Sequence, residues 1–527
     1  MKKTSRRDFI KTSGAVGSFF ILPSGLRADS PNGKICTAHI GTGGKGRVDT
    51  AYLAKHKHVQ VLGLCDVDYK HGKIDTWSKQ FKSATAYQDY REMLAELDDK
   101  IDAVSISTPD HTHYPATLAA MELGKHVYTQ KPLTHKLSEA RHLAKHKHVE
   151  VLGLCDVDYK HGKIDTWSKQ FKSATAYQDY REMLAELDEK IDAVSISTPD
   201  HTHYPATLAA MELGKHVYTQ KPLTHKLFEA RHLAKFAKEK GLTTQMGIQN
   251  QSREAYRLTR HHLRNGILGK ISKVYVWSFK TWGYDGEPFK EKSDKPDSLD
   301  WNLWLGTAPV HDYVSKVYHP GQWRKLIDFG CGTLGDMGIH IFDTPFKALD
   351  LKDPLWVEAD CRAPNGFGHA EKNMVRYGFA PSKYTTDDFT FTWWDGSEAP
   401  RHKNNPDLIL PNGDQLPKQG AVFVGEAGRM VLPHCAMPTF YPDSVLKNVA
   451  KPDIQGVNHY TQFLDAIEGK DKTLAGFDYA GPLAESLCLG VVACQFPGKR
   501  LNWNAKQMKV TNLPEANPLL EGKYRKF

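Results

Sequence analysis

The chain has 527 residues, of which 40% are hydrophobic and 25% charged, a composition typical of globular domains. Its net charge is +9 with neutral histidines, but no arginine-rich arm or basic helix concentrates that charge, so we expect no nucleic-acid partner. The eight cysteines show no C-x-x-C pairing, which predicts neither a disulfide framework nor a zinc site.

The first 28 residues have the pattern of an export signal. Residues 5–11 (SRRDFIK) match the twin-arginine motif, and an apolar run at 15–22 and a cleavage site after Ala28 follow. The apolar run is shorter than the about 20 residues that span a bilayer, so we expect no stable membrane anchor. The pattern predicts export by the twin-arginine machinery, to the periplasm or beyond. An N-terminal amphipathic extension is the alternative.

Residues 34–46 (KICTAHIGTGGKG) contain a strand, a G-x-G-x-x-G loop and the start of a helix. In such a unit the first glycine makes the tight turn, the second lets backbone approach a pyrophosphate, and the third lets helix and strand pack closely. The pattern predicts dinucleotide binding, and a glycine-rich surface turn is the alternative. The predicted cofactor-binding residues of the loop are Gly41, Thr42, Gly43, Gly44 and Gly46.

A second predicted strand, 59–64, ends in Cys65 and Asp66. An acid at this distance from the loop accepts hydrogen bonds from the adenosine ribose hydroxyls and repels a 2′-phosphate. Asp66 therefore favours NAD over NADP.

The chain repeats itself almost verbatim: residues 53–145 recur as 143–235, at an offset of 90 residues. We call these ranges the first copy and the second copy. Such a repeat indicates a recent tandem duplication or a sequence-assembly error. Only three pairs differ, namely Gln60/Glu150, Asp99/Glu189 and Ser138/Phe228.

Strands and helices alternate within each copy, which predicts a parallel, doubly wound sheet of the Rossmann type. In the first copy the strands are predicted at 59–64, 84–87, 103–107 and 126–129, and the helices at 71–81, 90–97, 115–123 and 133–145. The second copy lacks a glycine loop, and its last helix, 224–240, leads to a sixth strand at 241–246. One loop organises one sheet, so one copy should be surplus. We expect the first copy to complete the sheet, because it is synthesised directly behind the loop.

Beyond residue 246 the pattern changes to strands punctuated by helices, which predicts an α+β domain on an open, mainly antiparallel sheet. Its strands are predicted at 271–279, 355–359, 389–394 and 421–432, and its helices at 335–348, 458–467 and 482–494. The predicted domains are thus an α/β Rossmann domain (33–246), an α+β domain (247–510) and a tail (511–527). The open sheet makes a homo-oligomer an option.

Two motifs at strand ends carry candidate chemistry. Thr-Pro-Asp at 108–110, repeated at 198–200, follows the fourth strand, where ligands bind in such sheets, although it is also a good helix start. Lys131 and its copy Lys221 precede proline, which holds a lysine in extended geometry at the cleft. Either lysine could help to remove a substrate proton; an exposed surface lysine is the alternative.

A third motif, GCGTLGDMGIHIFD, spans residues 330–343. Asp336, His340 and Asp343 stand at i, i+4 and i+7, on one face of a helix. A carboxylate beside an imidazole fixes its tautomer and raises its basicity, which suits His340 to take a hydroxyl proton. The same trio could hold a divalent metal, or the histidine could be structural; we predict catalysis and no metal.

Taken in order, the glycine loop, Thr-Pro-Asp-x-x-His, Gly-Lys-His-Val before Lys-Pro, and Gly-x-x-x-Asp-Met-Gly-x-His-x-x-Asp resemble the Gfo/Idh/MocA oxidoreductase family. With the twin-arginine signal, the chain resembles the exported bacterial branch. The resemblance implies that Lys131 or Lys221, Asp336 and His340 are catalytic. Gln130 (copied as Gln220) stands where the family has a glutamate. The further cofactor-binding residues that it implies are Asp66, Thr108, Pro109, His113 and Gln130.

The resemblance implies an NAD(P)-dependent oxidoreductase of a sugar, sugar derivative or polyol. Aromatic and polar residues of the kind that line sugar clefts give the predicted substrate-binding set: Gln249, Trp323, Arg324 and Asp343. One alternative is an exported glycoside-cleaving or aldose–aldose enzyme that retains and recycles its NAD. Another is a non-catalytic nucleotide-binding protein or an inactive duplicate.

Overall fold

The computed structural model describes residues 34–55, 57–108, 116, 119–120, 123, 125–129, 148–400, 404–447, 449–450 and 452–527. The predicted signal and the predicted site residues Pro109, His113, Gln130 and Lys131 lie outside the described residues. The chain forms two compact units, Met1–Ser138 and Glu139–Phe527. The division falls near the end of the first copy, inside the range 33–246 that the sequence assigns to one domain, because each copy pairs its own strands.

The first unit contains a five-stranded parallel sheet in the order β3–β2–β1–β4–β5. Helices supply the other layers, and the central strands are largely buried and mostly apolar, with Thr37, His39 and Ser105 as buried polar residues. The strands are β1 (Ile35–Ile40), β2 (Val59–Cys65), β3 (Thr85–Tyr87), β4 (Ala103–Ile106) and β5 (His126–Thr129), and the helices are α1 (Gly44–Leu53), α2 (Ile74–Gln80) and α3 (Tyr90–Leu97). The core of the sheet includes Ala38 of β1 and Val104 of β4, which are 0% and 1% exposed.

The second copy opens the second unit and forms two smaller parallel sheets. Strands β6 (Gly153–Cys155) and β7 (Thr175–Tyr177) pair with each other, and β8 (Ala193–Ile196), β9 (His216–Gln220) and β10 (Thr244–Gly247) pair in the order β10–β9–β8. The accompanying helices are α4 (Ile164–Gln170), α5 (Tyr180–Leu187), α6 (Asp200–Glu212) and α7 (Leu227–Lys240).

Neither copy is surplus in this arrangement. β1 pairs with β2 and β4 of the first copy, as expected. The sixth strand, β10, pairs instead with β9 of the second copy, with Thr244 opposite Val217. The expectation that the first copy takes the whole sheet was therefore wrong for its last strand. The reason is connectivity, because α7 of the second copy leads directly into β10.

The rest of the second unit is built on a nine-stranded sheet, in the order β17–β16–β15–β11–β14–β13–β12–β18–β19. Only β11 and β14 run parallel within it, so the predicted open, mainly antiparallel sheet is confirmed. Its strands are β11 (Ile271–Ser278), β12 (Pro354–Asp360), β13 (Met374–Phe379), β14 (Thr385–Asp395), β15 (Gln419–Gly425), β16 (Gly428–Pro433), β17 (Thr439–Tyr441), β18 (Arg500–Asn504) and β19 (Lys509–Val510). The helices are α8 (Glu254–Arg264), α9 (Trp301–Leu305), α10 (Ile339–Ala348), α11 (His459–Ile467) and α12 (Phe477–Ala493).

The sheet differs from the sequence-based expectation at one predicted strand and at four strands without a prediction, β13, β17, β18 and β19. The predicted strand 421–432 is a hairpin, since β15 and β16 turn back between Gly425 and Gly428. Strand β13 had no prediction because Arg376 and Gly378 interrupt its apolar pattern. In the sheet Arg376 forms an ion pair with Glu358 on the neighbouring strand β12.

Helices α10 and α12 pack on this sheet through large apolar side chains. Phe342 of α10 lies 4.3 Å from Phe391 of β14, between ring centroids. Gly490 lets α12 approach β13, because a Cβ there would stand 2.0 Å from the Tyr377 hydroxyl. The core thus fixes the start of α10, where the candidate catalytic residues lie. Across the described ranges, no helix combines the length and apolar character required to cross a bilayer.

Candidate functional site

The glycine loop of the first unit has no room for side chains at two of its glycines. Gly41 has a φ of 78°, and a Cβ there would lie 2.6 Å from the Ser107 carbonyl oxygen. A Cβ on Gly46 would lie 1.7 Å from the Gly41 carbonyl oxygen. The loop therefore packs directly on the end of β4, as a dinucleotide-binding turn requires.

Asp66 lies beneath this loop at the end of β2. Its Oδ2 accepts hydrogen bonds from the backbone N–H groups of Thr42 (2.9 Å) and Gly43 (3.2 Å), and its Oδ1 accepts one from Asp68 (3.1 Å). The Thr42 hydroxyl donates to the Gly72 carbonyl oxygen at 2.8 Å. The carboxylate thus fixes the loop and joins it to the turn after β2.

A cavity of about 470 Å³ adjoins the loop and carries positive charge. It is lined by Arg47, Asp68, Lys70, His71 and Lys73. Next to Gly41, the buried Thr108 hydroxyl has no hydrogen-bond partner among the described residues. Loop, positive cavity and unpartnered hydroxyl together fit a dinucleotide, whose phosphates are anionic and whose ribose and amide groups form hydrogen bonds.

The second unit contains the other candidate cluster, and Lys221 of the second copy is part of it. Lys221 follows β9, and its Nζ donates to Asp336 Oδ1 at 2.7 Å and to the Asp336 carbonyl oxygen at 2.9 Å. The two side chains are only 14% and 10% exposed, so this ion pair is largely desolvated. Breaking such a pair costs far more than breaking a surface one.

Two further cations and an indole surround the same carboxylate. Arg324 Nε lies 3.2 Å from Asp336 Oδ1, Lys280 Nζ lies 3.7 Å from Oδ2, and Trp282 Nε1 donates to Oδ2 at 2.7 Å. Burial raises the pKa of Asp336, but Lys221, Arg324 and Lys280 outweigh that effect and hold its pKa far below the ordinary value. Asp336 is therefore ionised at every physiological pH.

His340 lies one turn further along and is neutral. Burial lowers its pKa well below 6.5, and the charges of Lys221 and His434 lower it further, whereas Asp336 opposes them. His340 Nδ1 is buried and has no hydrogen-bond partner among the described residues. An unpartnered buried imidazole nitrogen is costly and points to a missing ligand.

The expected hydrogen bond from Asp336 to His340 is replaced by other contacts. Residues Leu334–Gly338 form a π-helical turn before α10, so the α-helical spacing on which the expectation relied does not hold. Both Asp336 oxygens face the cations and Trp282 instead. Asp336 therefore does not fix the tautomer of His340. Single π-helical turns of this kind are frequent at functional sites.

The predicted substrate-binding residues are not all grouped together. Arg324 reaches Asp336, and its guanidinium stacks over the ring of the buried Trp323 at 4.2 Å. Gln249 Nε2 donates to the Tyr218 hydroxyl at 3.0 Å. Asp343 is 1% exposed and accepts hydrogen bonds from Gln251 (2.6 Å) and Tyr479 (2.7 Å), which gives it a role in packing.

Trp282 and Lys280 near the cluster had no prediction from sequence, whereas Asp200 was a candidate through its motif. Trp282 and Lys280 belong to an irregular segment after β11 that carries no motif. Asp200 of the second copy is buried, accepts from the Cys331 backbone N–H at 3.1 Å, and has its pKa raised to about 7 by burial. It belonged to the Thr-Pro-Asp motif, whose repetition was the available signal.

The charge around Asp336 also bears on the metal alternative. No group of three or more His, Cys, Asp or Glu with the placement of a metal site occurs within the described part of the chain. Three cations and an indole N–H already occupy the Asp336 oxygens, so a divalent ion would have to displace them. Asp336 and His340 are better suited to proton transfer than to metal binding.

Family models match most of the chain outside its N-terminus. The model of the oxidoreductase family's NAD-binding Rossmann fold matches twice, over residues 35–150 and 141–248. The model of the same family's C-terminal alpha/beta domain matches residues 256–381. The chain therefore belongs to the Gfo/Idh/MocA family of oxidoreductases, as its motifs indicated.

Three curated relatives illustrate the range of the family. The chain is 24% identical over 197 residues to levoglucosan dehydrogenase of Pseudarthrobacter phenanthrenivorans, covering 36% of this chain and 42% of the relative. It is 25% identical over 244 residues to D-glucoside 3-dehydrogenase of Escherichia coli, covering 46% and 58%. It is 31% identical over 159 residues to a glycosyl hydrolase family 109 protein of Solibacter usitatus, covering 26% and 35%. The chain thus spans less than two thirds of the length of each of these relatives.

The charges around His340 lead to a prediction of opposite pKa changes in two variants. Lys221→Met removes a cation that lowers the His340 pKa, so that pKa should rise. Asp336→Asn removes the carboxylate that raises it, so the pKa should fall. NMR titration of the His340 ring measures both. Shifts in the same direction, or no shift in either variant, would contradict this account of the cluster.

Proposed function

We propose that this chain is an NAD-dependent oxidoreductase that oxidises a hydroxyl carbon of a sugar, a sugar derivative or a polyol. The observation that carries the proposal is the neutral imidazole of His340 beside the largely desolvated Lys221–Asp336 ion pair. A buried base next to a fixed cation is the arrangement that alcohol oxidation needs, because the hydroxyl proton must leave as the carbon is oxidised.

Each residue of the cluster has a separate task. The His340 imidazole accepts the hydroxyl proton, and because its pKa lies well below 6.5 it is unprotonated at neutral pH. Lys221 stabilises the negative charge that develops on the oxygen. Asp336 fixes the Lys221 ammonium through two hydrogen bonds and so acts as a positioning residue. Bound NAD would supply the hydride acceptor.

The residues that would hold the cofactor lie in the first unit. The glycine loop would bind the pyrophosphate of the cofactor. The Thr108 hydroxyl, which has no partner among the described residues, would form a hydrogen bond with the cofactor, and Asp66 would bind its ribose hydroxyls. Asp66 favours NAD, while Arg47, Lys70 and Lys73 around the adjoining cavity would also suit the additional phosphate of NADP. Calorimetric titration with each nucleotide separates these two.

The substrate class rests on the relatives and on the character of the site. Levoglucosan dehydrogenase and D-glucoside 3-dehydrogenase are named for sugars, and we extend that class to this chain. Arg324 adds a guanidinium that can donate hydrogen bonds to sugar hydroxyls, whereas the Trp323 ring under it is buried in the core. We also propose a homo-oligomer, because the nine-stranded sheet is open and not closed into a barrel.

We further propose export by the twin-arginine route, which carries folded proteins. An exported dinucleotide enzyme would leave the cytoplasm with its cofactor bound, since nicotinamide nucleotides are scarce outside. Retention of the cofactor favours a second candidate function. In it, the bound NAD is reduced and reoxidised within one turnover on a sugar. The match to a glycosyl hydrolase family 109 protein supports this alternative.

His340→Ala should lower turnover by roughly 10²–10⁴-fold, because it removes the general base, while nucleotide affinity stays within about twofold. Steady-state rates and products on a sugar panel, with and without added NAD, provide the measurement. Turnover that needs added NAD supports net oxidation, and turnover without it supports recycling. The exposed His261→Ala is the control, and a loss of less than about threefold at His340 would refute its role as base.

Arg6→Lys combined with Arg7→Lys should leave the protein in the cytoplasm, although the charge is unchanged. The twin-arginine receptor reads the two guanidinium groups, which lysine does not reproduce. Fractionation of cells, with Lys2→Arg and Lys3→Arg as the control, gives the answer. Unchanged export of the Arg6/Arg7 variant would rule out this route.

A further inference from the structure

The second copy lacks the strand that organises the first. In the first unit β1 lies between β2 and β4. The corresponding strands of the second copy are β6 and β8, with nearly the same sequence. Among the residues that the structure describes, β6 pairs with β7 and β8 pairs with β9, and no strand lies between them. We call the space between β6 and β8 the second slot.

The side chains that line the second slot are less buried than their counterparts. Leu64 and Cys65 of β2 are 0% and 2% exposed, whereas Leu154 and Cys155 are half-buried. Likewise Val104 and Ser105 of β4 are buried, whereas Val194 is half-buried and Ser195 exposed. Apolar residues in this slot therefore remain in contact with water, which favours an occupant.

The second slot already has the shape that receives β1. A Cβ on Gly63 would meet Leu97 at 2.7 Å, Met93 at 2.9 Å and, third, Ala38 of β1. On Gly153 it would meet Leu187 and Met183 at the same distances, and the third nearest atom is again one of Met183, at 3.1 Å. The helix side of the two sites therefore has the same local packing.

The turn that holds the glycine loop is also preformed. Asp66 Oδ1 accepts from the Asp68 N–H at 3.1 Å, and Asp156 Oδ1 accepts from the Asp158 N–H at 2.9 Å. Lys73 and Lys163 end these turns with the same φ of 53°. The turn after β6 therefore has the same local geometry as the turn that holds the glycine loop in the first unit.

We propose that the segment Ile35–Leu53 of this chain, which comprises β1, the glycine loop and α1, also binds in the second slot. The two placements exchange with each other. Leaving the first copy breaks the two strand pairings of β1, and entering the second slot makes two. Of the residues that β1 would face, only Gln60/Glu150 differs between the copies.

The chain connection allows this exchange. Residues 53–59 and 143–149 have the same sequence, LAKHKHV, so α1 meets an identical connector in either placement. The first copy then becomes an insertion of 90 residues between α1 and the second copy. Loop closure is a weak penalty, since each doubling of loop length costs only about 0.6 kcal/mol.

The second placement would complete a six-stranded sheet, β7–β6–β1–β8–β9–β10. Its glycine loop would then lie on the sheet whose strand β9 leads to Lys221. Dinucleotide binding and the Lys221–Asp336–His340 cluster would so belong to one domain. This consequence rests on the proposed function, whereas the exchange itself does not.

Hydrogen exchange with mass spectrometry on two matched variants tests the exchange without substrate or cofactor. Val104→Asp puts a carboxylate into the space between β2 and β4 that β1 occupies, and Val194→Asp puts the same group into the second slot. Peptides of the two copies are distinguishable in mass at Gln60/Glu150 and Asp99/Glu189. Protection in α12 reports whether the second unit stays folded.

In the Val104→Asp variant, β1 should remain protected, and the amides of β6 and β8 should exchange at least about tenfold more slowly than in the unmodified chain. In Val194→Asp, β6 and β8 should gain nothing. Unprotected β1 together with unchanged β6 and β8 in Val104→Asp would overturn the proposal. Ser105→Pro and Ser195→Pro, which block strand pairing without a buried charge, must show the same contrast. If α12 loses protection in Val104→Asp, the second unit has unfolded, and the result of the Ser105→Pro and Ser195→Pro variants then decides whether the proposal holds.

Discussion

A parallel strand has two edges and can join only one pair of neighbours at a time. This chain has one strand that leads into a glycine loop, and two copies of the strands that flank it. In the structure β1 joins the first copy, while β10 and the α+β domain hold the second. The loop that would bind the dinucleotide and the lysine that would act on the substrate therefore belong to different compact units.

Within the second unit, Asp336 determines the electrostatics of the candidate site. One carboxylate compensates three cations, from Lys221, Arg324 and Lys280, and its own pKa falls accordingly. Burial keeps the neighbouring imidazole of His340 neutral by lowering its pKa, and the charges of Lys221 and His434 add to that effect. The π-helical turn directs Asp336 toward the cations and not toward His340.

The sequence predicted the parts of this account that depend on local pattern. The glycine spacing, the acid after β2 and the bounds of α3 and β5 follow from short-range chemistry. Short-range chemistry did not predict which copy pairs with β1 and which with β10. The side chains of the two copies are nearly identical, and only the connection from α7 to β10 distinguishes them. Trp282 and Lys280 reach Asp336 from a segment without a motif, and α-helical periodicity cannot anticipate a π turn at residues 334–338.

The most direct test of the central claim, that the second copy supplies the catalytic lysine, compares Lys131→Met with Lys221→Met in the full chain. The two lysines have the same sequence neighbours, so the variants differ only in which copy is changed. Because Lys221 binds Asp336, its loss should lower turnover by roughly 10²–10⁴-fold, whereas loss of Lys131 should change it less than about threefold. Equal losses, or a larger loss from Lys131→Met, would contradict the account.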